Sequence, residues 1–203
     1  MSEAANRYFI IHKPYNMVSQ FISPDNVVLL GDLDFDFPEG THAIGRLDNH
    51  SEGLLILTTN KKVTRLLFQG KVPHKRTYLI QVKNIVSPES LHQLKTGVSF
   101  SVKGDENYTA VPLGAEIVDE PLKLFKYAKG FYDAYPHTWL LITLAEGKFH
   151  QVRKMVKAIS HRCQRLIRVS IEDLALGDLA PGCVREIEEH EFFSQLKIDT
   201  PGV

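Results

Sequence analysis

The passage GRLDNHSEGLLILTTN, residues 45–60, contains the side chains best placed for chemistry. Asp48 stands two residues after Arg46 and just ahead of a Ser51-Glu52-Gly53 turn, and the apolar run Leu54-Leu55-Ile56-Leu57 follows. A carboxylate on a loop at the mouth of a sheet can act as a nucleophile or a base, since the strand fixes it and the loop leaves it accessible. A turn aspartate paired with Arg46 would be spelled by the same letters, and spacing alone leaves both readings open. A second group lies in residues 147–160. At 100° per residue, Val152, Met155, Val156 and Ile159 share one helical face, and His150, Arg153, Lys154 and Lys157 share the other. An ordinary amphipathic surface helix accounts for this. So does a stripe of donors, with no acid among them, turned towards phosphates.

These groups need elements to position them. Tyr8-Phe9-Ile10-Ile11 reads as a strand stopping at His12-Lys13-Pro14, because proline ends ladder pairing. Residues 15–40 read as an irregular excursion, and Leu54 to Leu57 as a buried strand. Asn60 is a candidate N-cap for a short helix carrying Val63, Leu66 and Leu67 and ending at Gly70. Tyr78 to Lys83 alternates as a strand, with Tyr78, Ile80 and Val82 on one side. Ser87-Pro88 opens a helix with Leu91 and Leu94, which Gly97 closes. Two further strands are expected over Tyr108 to Val118 and Trp139 to Ala145. Ile167, Val169 and Ile171 alternate as another strand, and Glu188 to Leu196 reads as a terminal helix. Strands interleaved with helices indicate a mixed α and β protein.

The bulk properties narrow the class. At 203 residues the chain can bury a core as one large domain or two tightly joined halves. Net charge is zero, but its distribution is uneven. Asp25 to Glu39 carries only acids, read as a solvated face. Lys148 to Arg168 carries only bases: Lys148, Arg153, Lys154, Lys157, Arg162, Arg165 and Arg168. No signal peptide is expected, and the apolar runs are too short to cross a bilayer. Cys163 and Cys183 have no CxxC-like spacing, so free thiols in a reducing cytoplasm are expected. The nine histidines are scattered without an HExxH pattern, which disfavours a metal-dependent hydrolase.

Residues 45–60 resemble the signature of the RsuA-type pseudouridine synthases, in which GRLD is followed by Thr or Ser and then GLLLLTN. Further blocks come in the family's order. Arg76-Thr77-Tyr78 is similar to its Lys-Thr-Tyr segment, and Glu146-Gly147-Lys148-Phe149-His150-Gln151-Val152-Arg153-Lys154-Met155 to its EGRNRQVRRM stretch. Arg165-Leu166-Ile167-Arg168-Val169 and Leu176-Gly177-Asp178-Leu179-Ala180-Pro181-Gly182 follow. Two departures stand out. Arg76 replaces the usual lysine, which keeps charge but not geometry. Phe149-His150 replaces Asn-Arg, and His-Gln-Val-Arg is closer to the related RluA-type branch.

The resemblance implies an isomerase that cuts the bond between ribose and N1 of a uracil, rotates the base and rejoins it through C5, with no metal or redox cofactor. It implies Asp48 as the catalytic carboxylate, Arg153 as its paired cation, and Tyr78 as the ring that stacks on the uracil and can serve in proton transfer. Arg46 would hold the flipped nucleotide and Leu166 would line the uracil pocket. RNA contacts are expected from Arg76, His150, Lys154 and Lys157, with Lys13 and Lys75 completing a basic surface. Asp48, Tyr78 and Arg153 are expected to meet in one basic-rimmed cleft. The implied fold is α+β: a bent, mixed, mostly antiparallel sheet with flanking helices and a central cleft. One catalytic domain is expected over residues 1–203, with no separate N-terminal RNA-binding domain, similar to the RluE-like branch. The expected partner is ribosomal RNA, 23S before 16S or transfer RNA, with the protein a cytoplasmic monomer. The competing expectation is a non-catalytic RNA-binding or ribosome-assembly factor that retains the fold.

Overall fold

A computed structural model describes residues 5–68, 73–102, 105–129 and 134–198. In chain order the elements are β1 (Tyr8–Lys13), β2 (His42–Ile44), β3 (Glu52–Thr58), α1 (Val63–Phe68), β4 (Arg76–Lys83), α2 (Pro88–Thr96), β5 (Val98–Val102), β6 (Asp105–Ala110) and β7 (Gly114–Ile117). Then come α3 (Pro121–Leu124), β8 (His137–Leu144), α4 (Gln151–Ala158), β9 (Cys163–Ile171), β10 (Leu174–Ala175), β11 (Val184–Ile187) and α5 (Glu189–Gln195). The class is α+β, as the sequence predicts. The chain divides into two compact units, residues 1–74 with 168–203 and residues 75–167.

In the first unit β1 pairs antiparallel with β11 on one side and β3 on the other, and β2 pairs with β3. Every residue of β1 and β3 is buried, and their central stretches Tyr8 to Ile11 and Leu54 to Leu57 are continuous apolar runs rather than alternating ones. Leu54, Leu55, Ile56 and Leu57 are fully enclosed, each contributing about 1.5–3 kcal/mol of burial. Helix α5 covers one end of β1, with Phe192 and Phe193 packed on Tyr8 at ring separations of 4.6 and 5.5 Å. Apart from a 3-10 turn at Leu30–Asp32, residues 15–40 are irregular, as expected, yet they are not loose. Phe35 and Phe37 pack edge-on against Phe9, and Phe21 against Phe37. Asp32, Asp34, Asp36 and Glu39 remain exposed. The acidic run is therefore a solvated face held down by its phenylalanines.

In the second unit β8 pairs antiparallel with β4 and β7, and β5 with β6 form a separate hairpin. Helix α2 lies against β7 and α4 against β5. Ser87 caps α2, its hydroxyl accepting from the Ser90 N–H at 3.2 Å, and Pro88 follows at the first position. One expectation needs correction here. Tyr108 to Val118 is not one strand, because Pro112 has no N–H for a ladder; β6 and β7 flank it in different sheets. On β4, Tyr78, Ile80 and Val82 share one side as expected, and Leu79 and Gln81 on the other side are just as buried. Gly70, expected to end α1, lies outside the described residues. Asn60 does act at the start of that helix, its side-chain oxygen accepting from the Lys62 N–H at 3.0 Å.

Candidate active site

The Asp48 loop, residues 45–51, is the connection of the β2–β3 hairpin, and both its ends are tied down. At the entry, Gly45 has a left-handed backbone (φ 62°), and a Cβ there would come within 2.8 Å of the Phe68 ring. Its carbonyl accepts from Arg168 Nη2 at 2.8 Å, while Arg168 Nε donates to the Leu54 carbonyl at 2.8 Å. One buried guanidinium thus bridges the loop's start to β3. At the centre, the Ser19 hydroxyl accepts from the Leu47 N–H at 3.0 Å and donates to the Leu47 carbonyl at 2.8 Å. At the exit, the Asn49 carbonyl accepts from the Asn16 N–H at 3.1 Å and from Lys13 Nζ at 3.2 Å. The Ser51 N–H closes the turn on the Asp48 carbonyl at 3.0 Å. Asp48 is held half-buried on this frame, with Arg46 exposed beside it.

Lys13 corrects the sequence expectation most clearly. It is fully buried rather than part of a basic surface, and its ammonium donates to the carbonyls of Pro14, Met17 and Asn49. Three carbonyls use all three of its protons. Burial pulls its pKa down to about 8, and the Glu52 and Asp48 carboxylates oppose that shift. Lys13 is therefore an internal cation electrostatically coupled to Asp48. Tyr15, two residues on, stacks on His50 with ring centroids 5.2 Å apart.

The other predicted residues stand in the second unit. Tyr78 and Arg76, two residues apart on β4, share one face of the strand and are both buried. Leu166 is buried on β9. The amphipathic reading of α4 holds: Val152, Met155, Val156 and Ile159 are buried, Arg153 and Lys154 are half-buried and Lys157 is exposed. His150, the N-cap, is also exposed, and Lys75 with it. Arg153 Nη1 donates to Cys163 Sγ at 3.5 Å, and Lys154 Nζ to the Ser101 carbonyl at 3.0 Å. Burial pushes the Cys163 thiol up to about 11, against the pull of Arg153. Arg153 and Lys157 line a pocket of ≈ 450 Å³ with Ser160, His161, Arg162 and Cys163.

The basic run is not wholly a surface feature. Arg165 and Arg168 are buried, and Arg165 Nη1 donates to the carbonyls of Tyr127 and Lys129 at 2.6 and 2.7 Å. Sequence reasoning missed Ser19 and Arg168 as supports of the Asp48 loop. Arg168 had a signal, since it falls in a family-like block; a lone serine in an irregular segment has none.

Residues 7–158 match the family model described as RNA pseudouridylate synthase. The chain is 34% identical over 183 residues to the ribosomal large subunit pseudouridine synthase E of Vibrio parahaemolyticus, covering 90% of this chain and 74% of that protein. It is 31% identical to the enzyme of the same name from Xanthomonas axonopodis, covering 85% and 89% of the two. It is 28% identical to the ribosomal small subunit pseudouridine synthase A of Escherichia coli, covering 93% and 73%. Among solved structures, a pseudouridylate synthase superposes with a TM-score of 0.71 at 24% identity, over 95% of this chain and 74% of that one. No described helix is long and apolar enough to cross a membrane. With a family model spanning most of its length and relatives above 30% identity, the chain belongs to the RNA pseudouridylate synthase family of isomerases.

Proposed function

We propose that this protein converts a specific uridine of large-subunit ribosomal RNA to pseudouridine, with Asp48 as its catalytic carboxylate. The observation that carries the reading is the Asp48 loop: a family-type GRLD segment whose backbone is clamped at both ends by buried side chains, with Asp48 half-buried between them. Preorganisation of that kind is what a nucleophile or base requires. The C1′–N1 bond of the uridine breaks, the uracil rotates, and a C1′–C5 bond forms. The C5 proton leaves to solvent and N1 regains a proton. Asp48 serves this exchange by attack on the anomeric carbon or by removal of a ribose proton, and no metal or redox group is needed.

Arg153 pairs with the Asp48 carboxylate and orients it, and Tyr78 stacks on the uracil and assists proton transfer. Arg46 holds the uridine out of its stack, a step that chemistry on a paired base cannot avoid. Leu166 walls the uracil, while Arg76, His150, Lys154 and Lys157 engage the RNA. One catalytic domain, acting as a cytoplasmic monomer, completes the reading. Large-subunit RNA is favoured because the relatives from Vibrio parahaemolyticus and Xanthomonas axonopodis, at 34 and 31% identity, are named large-subunit synthases, whereas the small-subunit synthase of Escherichia coli stands at 28%.

Mapping pseudouridines in ribosomal RNA from cells lacking the protein tests the address. A single missing large-subunit site, restored by the wild-type gene, is the expected result. A full set of large-subunit sites would overturn the address, and a site lost from small-subunit or transfer RNA would reassign it.

A further inference from the structure

Phe149 sits in the connection from β8 to α4 with 71% of its surface exposed. A single exposed apolar residue needs no explanation in itself, but the neighbours of this one form a pattern. The His150 ring stacks on it at 3.8 Å with an interplanar angle of 18°. His150 itself has a left-handed backbone (φ 54°), a conformation disfavoured for a residue with a side chain. Strain of this sort concentrates where a side chain must be presented in one direction. Lys154 Nζ lies 5.9 Å from the Phe149 ring centroid and 6.0 Å from that of Phe100, and Phe100 packs edge-on against Tyr108 at 5.7 Å. Lys148 Nζ lies 5.2 Å from the Tyr108 ring.

Four rings and two ammonium groups are thus interleaved on the β5–β6 hairpin and the start of α4. Among the described side chains here, the acid Glu146 is engaged: it accepts from the Tyr108 hydroxyl and from the Gln151 amide. The patch therefore presents positive charge and flat apolar surface together. Unpaired bases stack on aromatic rings while flanking phosphates seek cations, so this composition fits single-stranded RNA.

We propose that the Phe149–His150 stack is a docking platform for an unpaired base of the substrate RNA outside the reacting uridine, with Lys148 and Lys154 taking the adjoining phosphates. The inference rests on the reading of this chain as an enzyme acting on RNA. It adds a recognition site on Phe149 and His150, one of the two places where the sequence departs from the RsuA-type pattern.

The test measures affinity of the full chain for a short single-stranded RNA and for transcribed large-subunit ribosomal RNA, across a salt series. Phe149→Ala lowers affinity roughly 5- to 100-fold, the span of one base–aromatic stack, and leaves the salt slope unchanged. Phe149→Leu keeps apolar bulk but shares the loss, while Phe149→Trp restores binding. Lys154→Ala instead lowers the salt slope by about 1. Wild-type affinity in Phe149→Ala or Phe149→Leu overturns the proposal. So does tighter binding of the wild-type chain to a polyglutamate peptide than to either RNA, which would make the patch a protein-docking surface. Pseudouridine formation by the wild-type chain is scored separately. Loss of RNA affinity in Phe149→Ala without any product in the wild type sinks the catalytic reading alone, and product formation with unaltered Phe149→Ala binding sinks this inference alone.

Discussion

A lysine with no exposed surface is expensive unless its charge is matched, and Lys13 has three carbonyls and two nearby carboxylates to match it. Lys13→Met removes the cation and strands those acceptors. We expect a loss of about 3–5 kcal/mol, read from urea unfolding at pH 7. The pH dependence has a definite sign. The folded pKa, about 8, is below the ordinary 10.5, so between these values the unfolded chain holds a proton that the folded chain has released. The contribution of Lys13 to stability therefore rises with pH across that window. Wild type should gain on Lys13→Met between pH 8 and 10; a gap that narrows there would contradict the assignment. From sequence, Lys13 looked like a surface base because a lysine before a proline carries no mark of burial. Asp48 stands out in the sequence through the resemblance of residues 45–60 to a family signature, since its immediate neighbours alone also spell an ordinary turn.

The hairpin connection between β2 and β3 is where sequence became geometry. Ser19→Ala leaves the Leu47 N–H and carbonyl without their partner, a cost of about 1–3 kcal/mol. Turnover should fall more than stability explains, because the freed atoms flank Asp48; unchanged turnover would show that the clamp is only structural. Gly45→Ala places a Cβ at φ 62° and 2.8 Å from the Phe68 ring, so a loss of about 1–2 kcal/mol in thermal or urea unfolding is expected. Elements with their own signals were legible: Ser87-Pro88 before α2, the apolar face of α4 and the apolar run of β3. Short strands were not. β2, β10 and β11 span two to four residues each, and pairing rather than propensity makes them strands. β5 alternates, but its partner β6 was absorbed into a longer expected strand that Pro112 in fact interrupts.

For the molecule as a whole, a net charge of zero conceals segregation: exposed acids along residues 25–39, and exposed bases at Arg46, Lys75, His150 and Lys157. Arg165 and Arg168 leave that basic set because they hold backbone carbonyls inside the protein. RNA affinity should depend on salt more steeply than the net charge suggests, and Lys157→Ala should lower the log–log slope by about 1 without altering sequence preference. A slope unaffected by Lys157→Ala would place the phosphate path elsewhere. The family and the class of fold were readable from ordered sequence blocks; the division into two compact units was not, since no linker composition marks residues 74–75 or 167–168. The most direct measurement of the catalytic account uses RNA tritiated at C5 of uridine, because forming the C1′–C5 bond expels that hydrogen. Wild-type protein should release tritium, while Asp48→Asn, nearly isosteric, should release none above background and still bind the RNA with near wild-type affinity. Tritium release by Asp48→Asn at the wild-type rate would contradict it.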